Sequence, residues 1–208
     1  MKRDFEIEIE EGIKDLANLK LPDPNLLDYY NRASRREIFW NSGVDDTLAD
    51  ISMMIIDWNR EDKGKPIEDR QPIKIYISSD GGAVDPTLNF IDIVTLSKTP
   101  VYTIAMSRAY SSGGLMLLAG HKRFIFSNTT FLLHDGSMGA IGDTSKVMDR
   151  MELTQKQEKK IKEFVLDKTT LTSKMYDKNY RKDWFLASDE IIKFGFADKI
   201  ITDLDEIL

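Results

Sequence analysis

The sequence predicts an α/β fold built on a mostly parallel sheet. Three observations lead there. Short β-branched and aromatic runs alternate with segments of helical periodicity. The connections between them are short, which favours βαβ crossovers. Two runs end directly in serine- and glycine-rich turns, at residues 78–82 and 110–114; open α/β sheets bind their ligands beyond such strand ends.

Taken in order, Glu37-Ile-Phe-Trp-Asn41 reads as a short strand. Leu48, Ile51, Met54, Ile55 and Trp58 recur at spacings of three and four, which predicts an amphipathic helix over Thr47–Trp58. Residues 59–72 are charged and carry Gly64, Pro66 and Pro72, the composition of a loop. Ile73–Ile77 is a strand running into Ser78-Ser79-Asp80-Gly81-Gly82. A helix over Pro86–Ser97 and a strand over Val101–Met106 follow. Ser107–Gly114 reads as the next connection, overlapping the start of a helix over Ser112–Gly120. Phe124–Phe126 and Phe131–Leu133 are further strands, the second ending at His134. The Gly-containing stretch Gly136–Gly142 leads into a long helix over Thr144–Leu171. Glu152 and Lys156, and Glu158 and Lys162, sit there at i,i+4 in the favourable order. Its middle, Gln155–Lys160, has no apolar residue, so that part is solvated nearly all round or projects from the body. Phe185–Leu186, a helix over Ser188–Phe194 and a strand over Lys199–Ile201 close the fold. Residues 1–30 read as an N-terminal arm before a single domain over 31–208. Glu6–Glu11 alternates acid and Ile, as an edge strand or an acidic surface segment would, and Pro22 and Pro24 break any helix between them.

Composition narrows the function classes. The 208 residues are 41% hydrophobic and 31% charged, the balance of a soluble globular protein. A net charge of −6 lacks the broad positive field of nucleic-acid binders, so no nucleic-acid partner is expected. The absence of cysteine removes thiol chemistry, disulfides and cysteine metal sites. No apolar stretch approaches the ~18 residues of a membrane span. The N-terminus, Met-Lys-Arg-Asp-Phe, has no apolar region behind its basic residues, so a cytoplasmic protein without a membrane partner is expected.

Two places carry possible chemistry. In Ser78-Ser79-Asp80-Gly81-Gly82 the glycines let backbone N–H groups approach developing negative charge, although the same residues also make a plain tight turn. In Tyr110-Ser111-Ser112-Gly113-Gly114 a serine stands at the start of a helix, beside N–H groups and the positive end of its dipole. The pattern leaves two roles open for Ser111 and Ser112, N-cap and exposed nucleophile. A serine nucleophile needs a base oriented by a carboxylate. Of the two histidines, His134 ends a strand and can share the edge carrying Ser111, while His121 lies in a polar turn. Among 35 acidic residues, pattern does not choose the third member.

The residues resemble a known family. Ile77-Ser78-Ser79-Asp80-Gly81-Gly82-Ala83 resembles the Asn-Ser-Pro-Gly-Gly turn of the Clp protease proteolytic subunit family, and Ala109-Tyr110-Ser111-Ser112-Gly113-Gly114 its nucleophile turn. Leu132-Leu133-His134-Asp135 is similar to its Met-Ile-His-Gln strand end, Asp183-Trp184-Phe185-Leu186-Ala187-Ser188 to its Asp-Arg-Phe-Leu-Ser-Ala, and Phe194-Gly195-Phe196-Ala197-Asp198 to its Tyr-Gly-Leu-Val-Asp. Arg36-Glu37-Ile38-Phe39-Trp40 fits its first core strand. The five motifs fall in the family's order over residues 30–201.

The resemblance implies a ClpP/crotonase-like α/β fold of repeated ββα units, with a projecting handle helix in the region 137–172. It implies a Ser-His-Asp triad of Ser111, His134 and Asp183, and an oxyanion hole from the backbone N–H groups of Gly82 and Ser112. Gly81, Gly136, Gly139 and Ile141 would bind substrate, the stretch Gly136–Gly142 matching the strand that receives an extended peptide. It implies an endopeptidase inside a homo-oligomer of stacked heptameric rings, acting on peptides or unfolded proteins. No cofactor or metal enters the chemical step. ATP would be used by a partner AAA+ unfoldase, since no Gly-x-x-x-x-Gly-Lys-Ser/Thr motif is present here. Two further readings are a divergent peptidase, for phage capsid maturation or unassisted peptide hydrolysis, and a catalytically silent ring subunit. Departures from the family pattern are Asp80 for a proline, Ser107 for a glycine, Tyr110 for a small residue, Asp135-Gly136 for Gln-Pro, and Lys182 for an arginine that cannot be matched in bidentate pairing.

Overall fold

The computed structural model describes residues 24–137 and 139–208. The reading of residues 6–11 as strand or acidic segment lies outside them. The chain divides into two units, one ending at Arg35 and one running Arg36–Leu208. In the first, α1 (Pro24–Ser34) begins at Pro24. Proline at the first helical position suits a helix start, where its missing N–H is unneeded.

The second unit is organised by β2 (Ile73–Ser79). Ile73, Ile75 and Ile77 are fully buried, while Lys74 and Tyr76 on the other face are half-buried. β1 (Glu37–Trp40) pairs with it in parallel on one side and β3 (Val101–Tyr110) on the other. β4 (Lys122–Ile125) and β7 (Lys199–Ile200) continue the sheet in the order β1-β2-β3-β4-β7. β5 (Thr130–Leu133) joins the far end of β3, and β6 (Trp184–Leu186) runs antiparallel to β5.

α2 (Leu48–Glu61) buries Leu48, Ile51, Ile55 and Trp58, the stripe that its spacing predicts. α3 (Val84–Leu96) buries Phe90, Ile91 and Val94. α4 (Ser112–Ala119) is buried at every position and packs on β2, β3 and α3, as a helix that is apolar all round must. Gly113 lets it approach the sheet, since a Cβ there would lie 2.8 Å from Ser79 Cβ.

β3 is longer than expected and reaches Tyr110, where the sequence suggested a connection from Ser107. Its register against β2 moves from Ile77↔Ala105 to Ser79↔Ala109, so β3 takes up two extra residues. Before the irregularity β3 pairs with β4, and after it with β5. Local propensity carries no sign of that handover.

α5 (Thr144–Lys168) has its first buried residue at Ile161, followed by Val165. The half ahead of Ile161 is solvated, and Met148, Met151 and Leu153 are exposed on it. Arg123 fastens its far end by donating to the carbonyls of Lys168 and Gly195, both at 2.8 Å, while also pairing with Asp198. α5 stops at Lys168 rather than Leu171, and α6 (Ser173–Asn179), which the sequence reading missed, starts behind the N-cap Thr172. The Glu152–Lys156 pair forms at 2.6 Å. The Glu158–Lys162 pair does not; Lys162 turns to Asp177 on α6 at 2.6 Å. α7 (Ser188–Lys193) completes the elements. Among the described residues no helix is long and apolar enough to cross a membrane.

One buried ion pair joins the start of the sheet to the end of α2. Asp62, fully buried, accepts from Arg36 at 2.5 and 3.0 Å, from Lys65 at 2.8 Å and from Thr99 at 3.0 Å. Removing one partner of such a pair strands the other charge. Asp62→Ala is therefore expected to lower the unfolding free energy by about 3 kcal/mol in urea melts. The Arg36 hydrogen bonds, with those of Lys65 and Thr99, hold the Asp62 carboxyl well below the usual carboxylate range. A depressed folded pKa stabilises the fold above the unfolded value and is lost as the proton returns. The wild-type urea midpoint should thus fall as pH drops below about 4, and that acid dependence should be shallower in Asp62→Ala.

Candidate active site

The site is built where β2 and β3 end side by side. β3 passes through Tyr110 into α4, and Ser111 stands at the joint with φ +51° and ψ −122°. A non-glycine residue in that region is strained by roughly 1–3 kcal/mol and persists where its surroundings over-determine it. Here Ser111 N–H donates to Leu132 O of β5 at 2.9 Å, and Ser111 O accepts from Gly114 and Leu115 in the first turn of α4. Ser112 Oγ donates to Gly82 O at 3.0 Å. Ser111 Oγ has no hydrogen-bond partner among the described residues. The geometry thus separates two serines that the sequence pattern leaves equivalent.

The turn after β2 lies directly against this elbow. Gly81 and Gly82 have φ +92° and +151°, a region that side chains rarely adopt. A Cβ on Gly81 would meet Tyr110 O at 2.6 Å and Ser111 Cβ at 2.7 Å, and one on Gly82 would meet Val44 O at 2.2 Å. Ser79, fully buried, holds the turn by donating to Ser42 O at 2.7 Å and accepting from Gly81 N–H at 3.1 Å. Val44 N–H donates to Gly81 O, and Ala83 N–H to Val44 O, each at 2.8 Å. The Gly82 N–H is left out of these bonds, and the Ser112 N–H belongs to the first turn of α4, where helix donors lack partners within the helix.

Asp80 points to Arg108 on β3 and makes a two-pronged ion pair, with contacts at 2.6 and 3.0 Å. The charge that replaces the family's proline is therefore matched by a cation from the irregular part of β3. Ser107 and Ser78 share a hydroxyl hydrogen bond at 2.8 Å across the same two strands. Tyr110 packs edge-on to Phe185 and bonds Thr130 Oγ1 at 2.7 Å, so its ring fills a half-buried place beside β5.

His134 follows β5 directly. The β5–β6 register runs Phe131↔Leu186, Leu132↔Phe185, Leu133↔Trp184, and the next step sets His134 against Asp183. His134 Nδ1 lies 3.2 Å from Asp183 Oδ1, and the two side chains are 29% and 65% exposed. The structure therefore brings His134 and Asp183 into contact, and places Ser111 at the end of the strand next to β5. His121 stands elsewhere. Its Nδ1 accepts from Val101 N–H at 2.9 Å at the opposite end of β3, and desolvation with nearby Lys168 lowers its pKa.

Beyond Gly82 a recess of about 400 Å³ opens between the start of α3 and the side of α5. Gly136 and Gly139 line it, whereas Ile141 is fully exposed and does not. The stretch 136–142, expected to match a substrate-receiving strand, has no strand among its described residues. Asp135 N–H donates to Tyr180 O at 2.7 Å, and its side chain lines a neighbouring hollow with Tyr176 and Tyr180, which shares Tyr180 and Glu158 with the recess. Sequence reasoning gave no site role to Arg108 or to the recess carboxylates Asp46, Asp85 and Glu158. The two extra residues of β3 place Arg108 beside Asp80, and the pairing of Lys162 with Asp177 leaves Glu158 without an ion pair among the described residues; neither leaves a local signal.

Comparison with known proteins agrees with this architecture. The sequence profile of the Clp protease family matches residues 23–203. An ATP-dependent Clp protease proteolytic subunit of Streptococcus mutans is 30% identical over 180 residues, covering 84% of this chain and 89% of that protein. With the profile spanning nearly the whole described chain and these turns in place, the chain belongs to the Clp protease family.

Proposed function

We propose that this peptidase is a serine endopeptidase subunit in which Ser111 is the nucleophile, His134 the general base and Asp183 the carboxylate that orients it. The observation that carries the reading is the His134–Asp183 contact beside a strained Ser111, whose hydroxyl has no hydrogen-bond partner among the described residues, at a strand-to-helix joint. Ser111 Oγ attacks the scissile carbonyl carbon while His134 Nε2 takes its proton. The oxyanion receives the N–H groups of Gly82 and Ser112, which the two turns hold without reorganisation. His134 then protonates the leaving amine, and water repeats the sequence on the acyl-enzyme. Gly81 keeps the turn against Ser111, and Gly136 and Gly139 flank an extended peptide at the recess.

The subunit works in stacked rings that enclose the site, on unfolded chains or peptides delivered by an ATP-using partner. The solvated first half of α5, with exposed Met148, Met151 and Leu153, supports self-association, since exposed apolar groups on a polar helix mark a contact surface. Exposed Phe39 stands next to the half-buried rings of Tyr76, Tyr102 and Phe124, which pack against buried Ile104, Ile201 and Ile207, and their outer edges offer an aromatic surface to a partner.

A fluorophosphonate should add once to the wild-type and Ser112→Ala chains and not to Ser111→Ala, read by intact mass. An adduct retained in Ser111→Ala would place the nucleophile elsewhere. Gly82→Ala should lower kcat on a fluorogenic peptide by about a hundredfold or more, because the added Cβ displaces the turn from Val44 and moves a donor away from the oxyanion. Its thermal melt checks that the fold survives. Met151→Glu should shift the sedimenting species toward smaller assemblies.

A further inference from the structure

We infer that the recess beside Gly82 selects a basic side chain, lysine or arginine, on the substrate residue whose carbonyl is attacked. The inference rests on the serine-peptidase reading above and deepens it.

The recess has two chemistries. Val84, Ile161 and the half-buried ring of Tyr180 form an apolar wall. Asp46, Asp85 and Glu158 add three carboxylates, and no lysine, arginine or histidine lines it among the described residues. A lysine or arginine side chain matches both parts, because its methylene stem packs on apolar surface while its charged head reaches polar partners. A purely apolar side chain would leave the carboxylates facing it without a partner, and an acidic one would meet like charge.

The carboxylates are also available. Lys162, one turn beyond Glu158, pairs with Asp177 on α6, and Lys159 lies 3.9 Å from Glu163. Glu158, half-buried, therefore keeps no ion pair among the described residues. Asp46 makes no side-chain bond among them, and Asp85 accepts only from the neutral Gln157, at 2.5 Å. At the adjoining turn the opposite holds: Asp80 is already neutralised by Arg108. Glu158 also borders the neighbouring hollow that Lys159, Lys162 and Arg181 line, while Asp46 and Asp85 face the recess, which no cation lines among the described residues.

The experiment uses fluorogenic peptides that differ only in the residue before the leaving group: Lys, Arg, Leu or Glu. Wild type should favour Lys and Arg over Leu by roughly tenfold in kcat/KM, with Glu poorest, and the ratio should shrink as salt screens the charges. Glu158→Gln and Asp85→Asn should each cut the Lys/Leu ratio about threefold, and Glu158→Lys should reverse the order of the Lys and Glu peptides. A ratio near one in wild type, or one indifferent to Glu158→Gln and Glu158→Lys, overturns the inference. Binding of labelled peptides to Ser111→Ala, read by fluorescence anisotropy, tests the same preference without turnover. Tighter binding of the Lys peptide supports it, and equal or undetectable binding of that peptide refutes it. Absence of wild-type cleavage alongside a clear binding preference would instead count against the catalytic reading.

Discussion

The antiparallel pairing of β5 with β6 is the constraint on which the site depends. Only three residue pairs define it, yet side chains alternate along a strand, so a slip of one position would turn Asp183 away from His134. Short strands hold register poorly on hydrogen bonds alone. Here packing holds it. Leu186 and Leu133 are buried, Phe185 meets Tyr110 edge-on, and Trp184 lies against Phe194 and Phe196. The Asp135 N–H to Tyr180 O bond then closes the loop on the far side of the pair. The contact between a histidine and a carboxylate 49 positions apart is thus set by hydrophobic burial around it.

A second constraint brings the serine to that pair. Because β3 takes up two extra residues against β2, its last three residues leave β4 and align with β5. Ser111 follows them onto the edge that ends in His134. Arg108 and Ser107 sit in the irregular stretch and bond back to Asp80 and Ser78, so the segment that redirects β3 also steadies the glycine turn. The backbone cost of Ser111 is borne by the same arrangement, through its N–H to Leu132 and through α4, whose every position is buried.

Much of this was legible in the sequence. The stripe of α2, the all-apolar α4 and the Ile-rich β2 each carry a period or a run that burial enforces, and their structures agree with it. The solvated middle of α5 was legible for the complementary reason, having nothing apolar to bury. What was not legible depends on choices between competing partners. Glu158 and Lys162 have the spacing of a helix pair, but Lys162 finds Asp177 on an α6 that no strong periodicity announces. Ser111 and Ser112 are neighbours of one type, and tertiary contacts distinguish them: the Ser112 hydroxyl donates to the Gly82 carbonyl, while the Ser111 backbone is held at positive φ by its N–H bond to Leu132. Stretch 136–142 aligned with a strand by resemblance, but its described residues, glycine-rich and with Ile141 exposed, form no ladder with the other described residues.

These partner choices also explain how the chain tolerates acids around its glycine turn. An aspartate next to an oxyanion donor would oppose the developing negative charge, and the opposition scales inversely with distance and with the local dielectric. At Asp80 the charge is matched by the guanidinium of Arg108, which meets both carboxylate oxygens. Asp46, Asp85 and Glu158 make no ion pair among the described residues, and they line the recess beyond Ala83 rather than the turn itself. Had Lys162 kept the helix pair with Glu158, the recess would have lost one of its three charges. Turning Lys162 toward α6 therefore does two things at once: it ties α5 to α6, and it leaves the Glu158 carboxylate at the recess without an ion pair among the described residues.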